Sequence, residues 1–208
     1  MLGHTLAVAG QPTLAARVYE TRSAAHPVPG SVEADLSAGV LARAFAWPHA
    51  LLADALYLGG SADTVRLAAL ADSVQRIGAR SYYARDWTLY HHIRGLIAVR
   101  AGRWGEAERE FSAARFGRSG WTRTLFELAK VQLKLGRPRA ALTTLRDAHE
   151  EPLDGMGRYA TRSELDLLTA QAFVAAGQRD SAAVYAGYVR TAWANADPAL
   201  KPRLSQLP

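Results

Sequence analysis

The sequence predicts an all-α protein, an α-solenoid of about five antiparallel helix pairs. A motif that ends one helical run with glycine and opens a second run recurs along the chain, and apolar residues recur three and four positions apart. No segment alternates apolar and polar residues as a strand would. The chain has 208 residues, of which 49% are hydrophobic and 21% are charged. This apolar content supplies a packed core and excludes wholesale disorder.

The recurring motif has the chemistry of a helical hairpin. Glycine ends the first helix because a left-handed backbone costs it little, and a polar link then reverses the chain. Pro12 and Pro138 suit the start of a second helix, where Asp63 and Ser181 offer side-chain oxygens to free N–H groups. A small or β-branched residue follows each glycine by five and allows close helix approach. The anchor glycines are Gly10, Gly60, Gly102, Gly136 and Gly177, which are 50, 42, 34 and 41 residues apart.

These anchors predict a single helical repeat domain over residues 1–208. Pro- and Gly-containing stretches such as 26–31 and 151–159 predict loops between the pairs. The first pair has too few residues before Gly10 for a full helix, so we expect the chain to be the C-terminal part of a longer protein or to have a misassigned start. The predicted pairs are 1–26 (truncated), 34–78, 87–119, 121–150 and 160–197.

The two copies 34 residues apart resemble tetratricopeptide repeats, whose unit is a 34-residue helix–turn–helix. Gly95 fits the small residue of the first helix, Ala107 the small residue that opens the second, and Phe111 and Ala114 the packing positions after it. The next copy matches with Leu125, Leu128, Ala129, Ala141, Leu145 and Ala148. The resemblance implies a right-handed superhelix whose first helices line a concave face, and a non-enzymatic protein- or peptide-binding role.

The same resemblance implies a binding groove made by first-helix residues that packing does not use. Arg123, Lys130 and His92 would give the groove a basic wall, and Phe126 would add an apolar anchor. This mixture suits an acidic peptide or a C-terminal carboxylate. The alternative is that these residues are solvent-facing or pack between repeats. The predicted groove residues are His92, Arg100, Arg123, Phe126, Lys130, Lys134 and Gln171.

The positive charge is concentrated in the middle third of the chain. The net charge is +6 overall, but residues 76–146 carry +10 and the two flanking segments carry −2 each. Such a field attracts acidic peptides, phosphates or nucleic acid. Aromatic residues in this segment, such as Tyr82 and Trp87, make single-stranded nucleic acid a weaker alternative. A solvated Arg-rich surface is the other alternative.

The sequence argues against an enzyme. It has no cysteine, which excludes disulfides, a cysteine nucleophile and a Cys-ligated zinc site. His91 and His92 are adjacent, so they point to different sides of a helix and cannot share a metal. No phosphate-binding glycine loop or nucleophile elbow is present. We therefore predict no cofactor, no metal and no membrane span, and a cytoplasmic protein that binds a protein or an acidic peptide.

A second functional hypothesis concerns the end of the sequence. Residues 189–200 resemble the ends of bacterial multidomain regulators, which are Ser/Thr kinases or transcriptional activators that carry such repeats after an effector domain. On this hypothesis the repeats form a regulatory or sensor region that acts within its own chain. It differs from the scaffold hypothesis in requiring an effector domain upstream.

Overall fold

The computed structural model describes residues 53–54, 56–58, 63–78, 87–115, 121–150, 160–195, 204 and 207. Every regular element among them is helical, which confirms the all-α prediction for this part of the chain. The predicted pair 1–26 and much of the pair 34–78 lie outside the described residues. The helices are α1 (Thr64–Gly78), α2 (Thr88–Arg100), α3 (Trp104–Ala113), α4 (Thr122–Lys134), α5 (Pro138–Glu150), α6 (Arg162–Ala175) and α7 (Arg179–Ala192).

The chain divides into two compact units, Met1–Ala114 and Arg115–Pro208. In the first unit, α2 packs against both α1 and α3. In the second unit, α4 packs on α5, α5 on α6 and α6 on α7, while α4 also reaches α6. Three predicted pairs, 87–119, 121–150 and 160–197, therefore contain one observed hairpin each.

A glycine with positive φ ends the first helix of each of these hairpins. The φ values are 69° at Gly102, 70° at Gly136 and 76° at Gly177. After each glycine, the next N–H donates to the carbonyl five residues earlier, as in Arg103 to Ala98 at 2.9 Å. Equivalent bonds of 2.8 and 2.9 Å follow the other two glycines. These bonds satisfy carbonyls that the helix end leaves open, so the predicted helix-ending role of glycine is confirmed at all three turns.

The helix starts agree only in part with the sequence-based prediction. Asp63 caps α1, because its Oδ1 accepts the Arg66 N–H at 2.8 Å. Ser181 does not cap α7, since the helix begins two residues earlier and its N-cap, Gln178, makes no side-chain cap bond. The second helix therefore starts closer to the glycine than the motif suggested. An unpredicted capping box opens α6, where Thr161 and Glu164 bond to each other's backbone N–H.

Small residues set the distance between paired helices. The predicted residues Ala107, Ala141 and Ala182 are all fully buried. A Cβ added to Gly95 of α2 would lie 2.5 Å from the ring of Phe111, which is also fully buried on α3. The α2–α3 hairpin therefore closes because α2 presents no side chain at this point.

We expect Gly95→Ala to lower the free energy of unfolding by about 1 to 3 kcal/mol, because the methyl group overpacks the buried Phe111 ring. This loss opposes the helix propensity of alanine, which favours the change by about 1 kcal/mol. Urea denaturation followed by circular dichroism measures the difference.

Gly105→Ala is the control in the same unit, because the nearest atom to its added Cβ is a side-chain nitrogen 4.0 Å away. We expect this variant to be as stable as the parent or more stable. Adding Phe111→Leu to Gly95→Ala should cost less than the sum of the two single changes. A Gly95→Ala variant as stable as the parent would contradict the close packing.

Candidate functional site

Helix α4 carries most of the predicted groove residues on one face. Arg123, Phe126, Lys130 and Lys134 are three or four residues apart, so they project from one side of the helix. The residue before the helix, Trp121, is only 7% exposed and holds this end of α4 in the core. Glu127 lies among the same positions and is 2% exposed.

Arg123 forms two buried ion pairs, one within α4 and one with α6. Arg123 NH2 lies 3.3 Å from Glu164 Oε1, and Arg123 NH1 lies 3.8 Å from Glu127 Oε1. Lys130 Nζ donates to the other Glu127 oxygen at 2.7 Å. Arg123 is 3% exposed and Glu164 8% exposed. Charges buried to this extent are tolerated only when they are paired and hydrogen-bonded, so these four residues act as one cluster.

Phe126 lies between the two cations of this cluster. The Arg123 guanidinium carbon is 5.0 Å and Lys130 Nζ is 5.6 Å from the centre of its ring, both within cation–π range. The ring also packs against a core cluster that includes Leu165 and Leu168 of α6. Phe126 is therefore a half-buried anchor flanked by positive charge, as its predicted role requires.

Glu164 serves two structural purposes at once. Its Oε2 accepts the Thr161 backbone N–H at 2.8 Å in the capping box, while Oε1 accepts from Arg123. The local cap fixes the carboxylate at the first turn of α6, where the helix dipole also favours negative charge. The start of α6 thereby presents a positioned acceptor to α4.

The structure changes the expected charge of the groove wall. Arg123 and Lys130 face carboxylates of their own chain, and the formal charges of Arg123, Glu127, Lys130 and Glu164 cancel. The basic wall expected from Arg123 and Lys130 is therefore neutralised at short range by Glu127 and Glu164, which the sequence analysis did not include.

A signal for the missed pair exists in the repeat spacing. The glycine offset of 41 residues places Arg123 and Glu164 at the same repeat position, and the offset of 34 places Leu89 there too. Leu89 is fully buried. Opposite charges at one stacked, buried position predict a contact.

The remaining predicted residues of the second unit are more accessible. Lys134 is exposed at the end of α4, and Gln171 is half-buried at the position of α6 that corresponds to Lys130. The Lys130 side chain is 38% exposed. We call Phe126, Lys130, Lys134 and Gln171 the first-helix surface. It combines an apolar ring, two ammonium groups and an amide.

The two predicted residues of the first unit are engaged inside that unit. His92 is fully buried, with Nε2 2.7 Å from Asp54 Oδ1 and its ring tilted against Phe111. The Arg100 guanidinium lies 4.8 Å from the Tyr57 ring centre and also donates to the Tyr57 carbonyl. His92 is therefore a core residue, which corrects its expected place in the groove wall, and Arg100 holds α2 to the helical residues 56–58.

A second charged group surrounds His149 at the end of α5. Arg162 donates to its Nδ1, while Nε2 lies 3.1 Å from Thr169 Oγ1 and 3.8 Å from Asp166 Oδ1. Burial, and then the nearby Arg162 charge, lower the pKa of His149 to about 4. Burial raises the pKa of Asp166, which Arg162 partly offsets. His149 is therefore neutral near pH 7, with its proton on Nε2.

The first unit contains a cavity of about 190 Å³ between α1, α2 and α3. Its charged lining residues are Asp72, Arg94, Arg103 and Glu106. Arg103 Nε donates to Glu106 at 2.6 Å, and Arg94 NH1 donates to the Tyr90 hydroxyl at 3.1 Å. The hydrogen bond to Tyr90 raises the pKa of Arg94. Cations and carboxylates balance around this cavity.

The described residues contain neither a metal-binding cluster nor a membrane-spanning helix. Within the described ranges, no group of three or more His, Asp or Glu side chains could hold a metal ion. His91 and His92 contact different acids, Glu110 at 2.8 Å and Asp54 at 2.7 Å, as their adjacency predicts. None of the helices in the described part of the chain is long and apolar enough to cross a bilayer.

Comparison with known proteins adds no relative. No family model, curated protein sequence or solved structure matches this chain. The geometry above therefore carries the functional argument.

We expect Glu127→Gln to lower the free energy of unfolding by about 3 kcal/mol, because Arg123 and Lys130 lose the carboxylate between them while Arg123 stays buried. Urea denaturation provides the measurement. Glu150→Gln is the matched control, since Glu150 is exposed on α5 of the same unit. This control should change stability by less than about 0.5 kcal/mol. Equal effects of the two variants would contradict a buried cluster.

The lowered pKa of His149 predicts that the protein loses stability in mild acid. Its pKa falls from 6.5 to about 4 on folding, so the folded state resists the proton that the unfolded chain accepts. Neutral His149 makes its full contribution to the free energy of unfolding above pH 6.5. This contribution is lost as the pH falls towards 4, and the loss is roughly 3 kcal/mol at most. Protonation of Asp166, whose pKa is raised, works in the opposite direction over its own range.

Two variants separate these effects. His149→Gln should flatten the decline in unfolding free energy between pH 6.5 and 4, measured by urea denaturation at several pH values. Arg162→Met should raise the pKa of His149 in an NMR titration, because it removes the second cause of the shift. A His149 titration near 6.5 in the parent chain would refute the assigned environment.

Proposed function

We propose that this chain is a non-enzymatic scaffold of tetratricopeptide-like helix pairs, a right-handed α-solenoid of about five pairs, that binds an acidic peptide segment of a protein partner. One observation carries the proposal. Arg123 of α4 and Glu164 of α6 occupy the same repeat position, and Arg123 NH2 lies 3.3 Å from Glu164 Oε1. First helices that meet at equivalent positions are stacked in register, which is how a solenoid builds a continuous binding face.

The arrangement of the second unit supports stacking over an irregular bundle. Helix α4 packs both on α5, its hairpin partner, and on α6, the next first helix. A shared core joins α4, α5 and α6 through Leu125, Leu145 and Leu165, all fully buried. Successive pairs thus bury a common apolar layer, as repeats that cannot bury their hydrophobic face alone must do.

The first-helix surface supports an acidic, partly apolar ligand. Phe126 offers an apolar contact, with Lys130 Nζ 5.6 Å from its ring centre, and the exposed Lys134 follows Lys130 by one helical turn. The Gln171 amide can both donate and accept hydrogen bonds. Because Glu127 already binds Lys130, a ligand carboxylate gains most at the exposed Lys134 and less at Lys130.

We favour binding over catalysis because of how the chain uses its buried charges. In the α4–α6 cluster the buried carboxylates of Glu127 and Glu164 both pair with Arg123 as structural ion pairs. A catalytic group needs a reacting atom within hydrogen-bond reach instead. The accessible groups of the first-helix surface are lysines and an amide, which suit recognition.

A peptide selection tests the proposal. The full chain is immobilised and used to select from a phage-displayed peptide library, and the affinity of enriched peptides is measured by fluorescence anisotropy. We expect acidic peptides to be enriched. The double variant Lys130→Gln/Lys134→Glu should bind them at least about tenfold more weakly, because it removes both ammonium groups from the surface.

The matched control is Arg146→Gln/Arg139→Glu, which makes the same change in charge at exposed positions of the second helix α5. It should keep the parent affinity. Equal losses in both double variants would mean that net charge alone attracts the peptides, and unchanged affinity in the lysine variant would refute the first-helix surface as the binding site.

A further inference from the structure

The α6–α7 pair carries an apolar face that two later leucines of the chain cover. Leu167 of α6, Val189 of α7 and Trp193 form a buried cluster, with exposures of 9%, 0% and 8%. Leu204 and Leu207 pack against this cluster and are partly buried. The Leu207 N–H donates to the Leu204 carbonyl at 3.2 Å. Both leucines therefore reach the same apolar face.

The repeat register shows which place this segment occupies. With the 41-residue offset, Leu167 corresponds to Phe126 and Val189 to Ala148. Phe126 packs against the core cluster that joins α4, α5 and α6, and Ala148 belongs to that cluster. The equivalent residues of the preceding pair are therefore part of, or pack on, the apolar cluster shared with the next pair. Leu204 and Leu207 cover the last pair at the positions where a following pair would pack.

We propose that the face formed by Leu167, Val189 and Trp193, the apolar end face, is a docking site for a short amphipathic segment with two leucines three residues apart. Leu204 and Leu207 are its intramolecular ligand, and a partner segment of the same chemistry competes with them. The inference does not rest on the first-helix surface, because it involves neither Lys130 nor Lys134. Its variants and those of the proposed function are distinct.

The chemistry of the contact defines the ligand. Two leucine side chains at a spacing of three fill an apolar helix-pair face in the same way as one turn of an amphipathic helix fills a groove. Few residues separate Trp193 from Leu204, so the tether keeps the segment at an effective concentration on the order of mM. A separate peptide therefore competes poorly until the chain's own leucines are disabled.

A complementation experiment tests this proposal with the full chain. The probe is a fluorescent peptide of residues 199–208, and its control is the same peptide with Leu204 and Leu207 replaced by aspartate. Anisotropy titrations compare the parent chain with the Leu204→Asp/Leu207→Asp variant. We expect the variant to bind the leucine peptide at least about tenfold more tightly than the parent does, and neither chain to bind the aspartate peptide.

Two further variants control for folding and for location. Val184→Asp/Tyr188→Asp introduces the same charges at exposed α7 positions, 52% and 56% accessible, and should bind the peptide no better than the parent. Adding Leu167→Ala to the Leu204→Asp/Leu207→Asp variant should lower its affinity for the leucine peptide at least about tenfold, since this change removes one wall of the site. Far-UV circular dichroism checks that each variant keeps its helical content.

If the aspartate variant loses its helices, Leu204→Ser/Leu207→Ser takes its place with the same expectations. Equal binding of the leucine peptide by the parent and by a folded variant, or no binding by a folded variant, overturns the proposal. Peptide affinity that is unaffected by Leu167→Ala also overturns it.

Discussion

The chain reversal after each first helix is the constraint on which the rest of the described structure depends. Gly102, Gly136 and Gly177 adopt φ values of 69° to 76°, and no neighbouring atom would meet an added Cβ there. The need for glycine is therefore conformational rather than steric. The turn fixes the start of the second helix a few residues later, so the buried alanine always falls at the same distance from the glycine. Residues inserted between pairs, such as 151–159, leave this relation intact.

The constant spacing within each pair also places buried charges at equivalent positions of successive first helices. Leu89, Arg123 and Glu164 occupy one repeat position, which is apolar in one pair and charged in the next two. An ion pair at such a site adds little stability over leucines, because desolvation offsets most of the attraction. It does penalise any arrangement that separates Arg123 from Glu164, since each would then be buried alone. The pair therefore favours one stacking of α4 on α6 over its alternatives.

The sequence was sufficient for features with a local cause. Glycine turns, the buried alanines and the helical runs follow from backbone preference and apolar spacing, and the structure agrees at the three hairpins it describes. Side-chain partners depend on residues far along the chain. Glu164 is 41 residues from Arg123 and Asp54 is 38 from His92, so the burial of these predicted groove residues was not visible in their own helices. The predicted cap at Ser181 was wrong because α7 begins two residues before Ser181.

Carboxylates that pair with basic residues change how the positive charge of the middle third is interpreted. Residues 76–146 carry +10, yet Arg94, Arg103, Arg115, Arg123 and Lys130 each lie within 4.0 Å of a carboxylate. At these five residues a ligand meets ion pairs instead of bare cations, and salt screens the remaining excess of positive charge beyond about 10 Å. In the binding mode that we propose, affinity comes from short-range features, the Phe126 ring and the ammonium group of Lys134. The proposed site would therefore favour a peptide with an apolar side chain beside its carboxylate over a ligand that carries negative charge alone.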